Sequence, residues 1–280
     1  MRLVTLRTGA GTVAARQDDD GSATEILDVP DVGALLASPD WRNRAEDADG
    51  PRHEAGDLDL APVVTRPSKV LCVGLNYASH ITEMGRDLPE HPTLFAKYAD
   101  TLAGPYDDLP LPVDEEEALD WEAELVVVIG TTCRRVPEAD AADVIAGYTV
   151  ANDVSMRSWQ FRTNEWLQGK MWDRSTPVGP ALVTADAWSP GPEVSCVVDG
   201  ETMQRHPTSD LVFGPEALVA YASRIITLRP GDLILTGTPG GVGHARDPQR
   251  YLRPGAEVVT AVEGLGELRN RCVADTPEDG

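Results

Sequence analysis

Basic residues are scarce in this chain: 24 Lys and Arg stand against 46 Asp and Glu over 280 residues, for a net charge of −22. That balance excludes neither fold nor chemistry, but it speaks against a nucleic-acid partner and against an anionic membrane surface. Long apolar runs are missing as well. None approaches the roughly 20 residues needed to cross a bilayer, and the N-terminus lacks the pattern of a secretory leader. Cysteine is sparse. Cys72, Cys133, Cys196 and Cys272 stand far apart with no paired spacing, which argues against a disulfide framework or a zinc site and for reduced, mostly buried thiols in a cytoplasmic protein. There is no internal repeat.

What is present is a pair of glutamates, Glu122 and Glu124, inside the strand-like run from Leu119 to Gly130. Alternate residues of a strand share a face, so the two carboxylates point the same way, beside the core that the Val/Ile run occupies. Like charges on a half-buried face repel and are costly to desolvate. A divalent cation removes both problems, because hard oxygen ligands suit Mg²⁺, Mn²⁺ or Ca²⁺. Asp153 ends a second apolar strand-like run, Gly147 to Asp153, and three acids at strand ends read as one metal site. The competing reading of the Glu pair is an exposed acidic strand edge.

Three more clusters place polar residues on breaks in apolar structure. After the compact strand Lys69 to Gly74 come His80 and Glu83. At that spacing they meet on one helical turn, and a Glu beside a His orients the ring as a general base; a surface His–Glu pair is the alternative. Arg157 and Gln160 follow Asp153, within reach of the metal face, and Lys170 follows Gly169. Lys170 either reaches a carboxylate or enolate, or is an ordinary solvated lysine. Leu235 to Gly243 leaves a strand into a glycine-rich loop that has neither a phosphate-loop Lys-Ser/Thr nor dinucleotide spacing. Its N–H groups and the Thr238 hydroxyl suit an anionic oxygen.

The remaining texture predicts short strands at Arg2 to Leu6, Thr12 to Arg16 and Thr24 to Asp28, and a short helix at Val32 to Ala37. An Asp/Gly/Pro-rich linker from Glu46 to Asp59 follows. Farther on come a short helix at Glu138 to Ala146, a tight hairpin around Asp199-Gly200, an amphipathic helix from Gly214 to Ile226 and a last hairpin around Gly264-Leu265-Gly266. Many strands and few helices predict a β-rich α+β architecture. The expected division is a small N-terminal α+β domain with its linker over residues 1–60, and a catalytic domain over residues 68–278.

Six stretches, in order, resemble one family, the fumarylacetoacetate hydrolase superfamily. They are Val73-Gly74-Leu75-Asn76-Tyr77 with His80 and Glu83; Phe95-Ala96-Lys97; Asp120-Trp121-Glu122-Ala123-Glu124-Leu125 through Ile129-Gly130; Asn152-Asp153-Val154-Ser155 with Arg157 and Gln160; Gly169-Lys170 with Asp173 and Pro177-Val178-Gly179-Pro180; and Gly231-Asp232 through Thr236-Gly237-Thr238-Pro239-Gly240-Gly241-Val242-Gly243. The resemblance is closest to two-domain bacterial fumarylpyruvate or acylpyruvate hydrolases. It implies a mixed β-sandwich roll that dimerises, with a small domain in front.

The resemblance also implies a reaction: cleavage of a C–C bond in a 1,3-diketo acid of the acylpyruvate or fumarylpyruvate type, through an enolate held on the metal. Glu122, Glu124 and Asp153 would hold Mg²⁺, with Mn²⁺ or Ca²⁺ as substitutes. His80, steered by Glu83, would activate water, with Lys170 and Gln160 as further catalytic groups. Arg157, Thr238, Tyr77 and Lys97 would contact or support a small anionic keto-acid substrate. The same platform serves oxaloacetate-type decarboxylation and 2-hydroxydienedioate isomerisation, and the family includes enzymes of aromatic-compound catabolism. A reading of another class is a catalytically idle small-acid-binding protein, although every expected catalytic position holds a competent side chain.

Overall fold

The computed structural model describes residues 1–83, 85, 87–112 and 118–275. Its framework is a mixed sheet of eleven strands, ten of them in one continuous path. At its centre the strand Ala123–Ile129 pairs antiparallel with Ile145–Asn152 on one side and with Leu233–Leu235 on the other. Every residue of Ala123–Ile129 and of Ile145–Asn152 is buried, as expected of strands covered on both faces. Leu125, Val127 and Ile129 enter one core, with Val194, Cys196, Leu218, Val258 and Leu268. Val126 and Val128 enter a second core, with Val32, Leu35 and Leu36 of the N-terminal segment. The face that carries Val126 and Val128 also carries Glu124 at the strand's other end.

The N-terminal strands extend this same sheet. Arg2–Thr8 pairs with Thr176–Thr184 and with Gly11–Gln17, so residues on both sides of the expected division share one hydrogen-bonded layer. The linker region holds structure of its own: Arg52–His53 adds an edge strand against Ala23–Glu25.

A second sheet of five strands packs across the first, running Glu201–Pro207, Glu193–Val198, Glu257–Val262, Gly266–Asp275 and Leu109–Pro112. The Asp199-Gly200 signal is a two-residue hairpin, with φ of 50° and 79° at its centre, the twist that suits paired strands. The amphipathic segment is the helix Pro215–Ile225. The result is a β-rich α+β fold with few helices.

The short helix expected over Glu138 to Ala146 is the 3-10 helix Glu138–Val144; it starts after Pro137 and contains Asp140 and Asp143, which are poor in α-helix interiors. One local reading changes. The run Leu119 to Gly130 is two strands, Leu119–Asp120 and Ala123–Ile129. Side chains cause the break. The N–H of Trp121 donates to Asp120 Oδ1 at 2.9 Å, that of Glu122 to Asn152 Oδ1 at 2.8 Å, and that of Ala123 to Gln204 Oε1 at 3.0 Å.

Candidate metal centre and active site

The break sits where the three acids converge. The Asp153 N–H donates to the Glu122 carbonyl at 2.8 Å, which carries the strand pairing one step further and sets Asp153 opposite Glu122. Glu124 lies one pleat along, on the same face. Carboxylate oxygens of Glu122, Glu124 and Asp153 all lie within 4.8 Å of one another, and all three residues are buried.

Cations surround the cluster. Lys170, at the end of the short helix Leu167–Lys170, places Nζ 2.7 Å from Glu122 Oε2 and 2.7 Å from Asp153 Oδ2. Lys97, at the end of the strand Thr93–Lys97, donates to Asp153 Oδ1 at 2.6 Å. Arg157 opens the helix Arg157–Gln160 and lies 2.6 Å from Glu122 Oε1 and 2.9 Å from Asp120 Oδ2, while its Nη1 donates to Gln160 Oε1 at 2.7 Å. The two short helices touch because Gly169 offers no Cβ; one there would collide with Gln160.

Asp120 is the acid that the sequence reading passed over. Its Oδ1 accepts from the Gly243 N–H at 2.6 Å, and its Oδ2 accepts from the His244 N–H at 3.0 Å and from Arg157. It therefore locks the glycine-rich loop to the metal face. Its partners are 37 and more than 120 positions away, so no local motif announces it. His244 is a second omission. It lines the cavity beside Arg157 and Gln160, and its Nδ1 lies 2.8 Å from Tyr251 Oη.

Charge bookkeeping singles out Glu124. Asp120, Glu122, Glu124 and Asp153 face Lys97, Arg157 and Lys170, which leaves one excess negative charge. Glu124 forms no ion pair among the described residues; its Oε2 accepts from the Gly237 N–H at 2.6 Å. Burial, followed by the Asp153 and Glu122 charges, pushes its carboxyl well above the usual carboxylate range. Burial also works against the Asp153 carboxylate, but Lys170 and Lys97 outweigh it and hold that group at about 2. Burial raises the Asp120 carboxyl, with Arg157 offsetting part of the rise. Burial and then the Arg157 charge lower the His244 imidazole.

Hard oxygen donors, close convergence and one uncompensated negative charge fit a divalent cation such as Mg²⁺. Glu122, Glu124 and Asp153 are the residues that would hold it. The four cysteines supply no alternative: each is buried and free, and burial raises all four thiols.

A cavity of about 290 Å³ opens onto the cluster, with Glu122, Arg157, Gln160, Lys170, Thr238 and His244 among its lining residues. The Thr238 hydroxyl donates to the Ala123 carbonyl at 3.0 Å and accepts from Gln204 Nε2 at 2.8 Å. Lys97 stands behind Asp153, outside the lining. Tyr77 is fully buried away from the lining, edge-on to His206 with ring centroids 6.2 Å apart. His80 and Glu83 lie on the helical segment Ala78–Glu83, three residues beyond the cavity-lining Leu75; their side chains fall outside the described part of the structure.

Residues 69–273 match the family profile described as "Fumarylacetoacetate (FAA) hydrolase C-terminal". The chain belongs to the fumarylacetoacetate hydrolase family. A curated relative, "Oxaloacetate tautomerase Fahd2a, mitochondrial" of Rattus norvegicus, is 46% identical over 217 residues, covering 76% of this chain and 69% of its own length. The solved fumarylacetoacetate hydrolase of Exiguobacterium antarcticum aligns at a TM-score of 0.88 and 31% identity, over 98% of this chain and 99% of its own. The solved 5-carboxymethyl-2-hydroxymuconate delta-isomerase of Mycobacterium smegmatis aligns at 0.82 and 35%, over 99% and 100%. Relatives in this fumarylacetoacetate hydrolase family thus carry tautomerase, hydrolase and isomerase names, which supports an enzyme here. Among the described residues no helix is long and apolar enough to cross a membrane.

Proposed function

We propose that this family member catalyses metal-dependent keto–enol isomerisation of a small 2-oxo acid. The observation that carries the reading is the buried Glu122–Glu124–Asp153 cluster, opening on a cavity whose wall also holds Lys170 and Arg157. The rat oxaloacetate tautomerase, the most similar of the three relatives in sequence, supports this chemistry over bond cleavage.

A divalent cation held by the three carboxylates would supply Lewis-acid polarisation of the 2-oxo group. The protein's own residues do the rest. A base removes a proton from the carbon beside the 2-oxo group; the C–H electrons become the C=C bond, and the carbonyl pair moves onto oxygen. The Lys170 ammonium offsets the negative charge that develops there. Delivery of a proton to that oxygen completes the enol. We assign the base to His80, steered by Glu83. Arg157 orients Glu122 and, with Gln160, positions the acid end of the substrate.

A second reading, C–C hydrolysis of an acylpyruvate, uses the same residues with water as the group deprotonated, and likeness to the Exiguobacterium hydrolase favours it. Following the enol absorbance of oxaloacetate and of acetylpyruvate, with Mg²⁺ and after chelation, separates the two. Chelator-sensitive enol–keto exchange with no acetate, pyruvate or CO₂ released is the expected result. Chelator-sensitive release of acetate from acetylpyruvate would replace isomerisation with hydrolysis.

A further inference from the structure

The reaction proposed above needs two proton transfers, one at carbon and one at the 2-oxo oxygen, and only the first has a residue. Among the described residues of the cavity wall, several proton carriers are already engaged. Lys170 donates to Glu122 and Asp153, and the Thr238 hydroxyl donates to the Ala123 carbonyl. Arg157, paired with Asp120 and Glu122, does not release its proton. His244 is different. It lines this cavity and also a second one of about 430 Å³ that Gln249 and Tyr251 border. Arg157, Phe161 and His244 line both, so the imidazole stands at the partition between them.

The ring is held in one orientation and one tautomer. The His244 main-chain N–H donates to Asp120 Oδ2 at 3.0 Å, and Phe161 packs on the imidazole with ring centroids 4.9 Å apart. The Tyr251 hydroxyl donates its single proton to Gln249 Oε1 at 3.0 Å. In the 2.8 Å contact between Tyr251 Oη and His244 Nδ1 the imidazole is therefore the donor. Gln249 Nε2 lies farther from Nδ1, at 3.3 Å, and donates to the His244 carbonyl at 3.1 Å. Nε2 of His244 then carries the lone pair, and it has no partner among the described residues. Burial and then the Arg157 charge lower the imidazole, against the opposing pull of Asp120, so it rests neutral near pH 7.

We infer that His244 is the acid–base group at the 2-oxo oxygen, the counterpart of His80 at carbon. In the enol-to-keto direction, Nε2 accepts the enol O–H proton. The electron pair of that bond re-forms C=O, and the C=C pair takes a proton from the His80 imidazolium. The keto-to-enol direction reverses each transfer, and the two imidazoles return to their starting states by proton exchange with water. The inference rests on the keto–enol reading above and completes it.

Oxalate, which mimics the planar enolate of a 2-oxo acid, tests the assignment without turnover. Calorimetric titration of the Mg²⁺-loaded protein with oxalate at neutral pH, repeated in buffers of different ionisation enthalpy, should show net proton uptake by the wild type, because an oxyanion facing Nε2 draws a proton onto it. His244→Gln should still bind oxalate and lose that uptake. In the same variant, conversion of the enol of oxaloacetate to the keto form should slow by roughly 10²-fold or more, whereas exchange of the carbon-bound protons with deuterium should slow far less, because His80 acts there. Tyr251→Phe, which keeps the imidazole but frees its tautomer, should cost less than His244→Gln. Proton uptake that survives in His244→Gln, enol conversion at the wild-type rate, or equal slowing of conversion and exchange would overturn the assignment. If uptake depends on His244 while the wild-type protein neither interconverts nor exchanges oxaloacetate, His244 stands as the group facing the oxygen and the proposed reaction fails.

Discussion

The buried ammonium of Lys170 bridges to Asp153 at 2.7 Å while holding Glu122 at the same distance, so one side chain neutralises part of the site that a metal must also neutralise. Removing it should separate the two roles. Lys170→Met leaves two buried carboxylates without their main partner, at a cost of about 3–5 kcal/mol in the metal-free protein. It also deepens the negative potential at the cluster. Calorimetry should therefore find Mg²⁺ bound at least as tightly as in the wild type, with turnover lower by roughly 10²- to 10³-fold. Loss of metal binding together with turnover would mean that Lys170 only builds the site.

Glu124 couples the same site to pH. In the metal-free protein its carboxyl lies well above the usual range, because of burial and its acidic neighbours. For a raised carboxyl, the unstrained state is the low-pH one, and stability is lost as pH climbs from the unfolded value of about 4.3 through the raised folded value. Metal removes that penalty, and above the raised value it no longer displaces a proton. The gain in melting temperature on adding Mg²⁺ should therefore grow from pH 5 to pH 8. Asp153 works in the opposite sense: held at about 2, it contributes stability above the ordinary Asp value and loses it only in strong acid. Glu124→Gln should abolish the pH-dependent metal effect and leave the metal-free protein no less stable. A metal-induced shift that stays flat across this range would show that Glu124 is ionised without the ion.

Strand periodicity explains why the acid triad was legible before any coordinates. A period of two puts Glu122 and Glu124 on one face, and chain ends of apolar runs gather at one edge of a sheet, which brings in Asp153. The Asp199-Gly200 hairpin and the helix Pro215–Ile225 were legible for similar local reasons. What could not be read were contacts of side chains with distant partners: Asp120 with the Gly243 and His244 N–H groups, Asn152 with the Glu122 N–H, and Gln204 with the Ala123 N–H and the Thr238 hydroxyl. These also break the strand at Trp121–Glu122, which the unbroken apolar pattern conceals. Burial of Lys170 was equally invisible, since composition alone expects a lysine in water.

Asp120 is not among the cavity-lining residues, yet four donors converge on it: the N–H groups of Trp121, Gly243 and His244, and the Arg157 guanidinium. Asp120→Ala orphans the buried Arg157 charge and frees the glycine-rich loop. We expect a destabilisation of about 3–5 kcal/mol, typical of a broken buried pair. Asp120→Asn keeps an acceptor for only one of the two loop N–H groups and loses the charge, so it should recover part of the stability and little of the activity. Full activity in Asp120→Asn would reduce Arg157 to a packing role.

His80 and Glu83, three residues apart on the helical segment Ala78–Glu83, are spaced to share one face. If Glu83 acts only by orienting His80, their effects cannot add. His80→Ala should lower turnover by roughly 10²- to 10⁴-fold with metal affinity unchanged, and Glu83→Ala should lower it by less. The double variant should be no worse than His80→Ala alone, since once the imidazole is gone there is nothing left to steer. Steady-state rates of the four proteins, with Mg²⁺ affinity measured on each, complete the cycle. Additive losses would assign Glu83 a contact with substrate of its own, and an active His80→Ala would move the base to another group, with His244 an imidazole that lines the cavity.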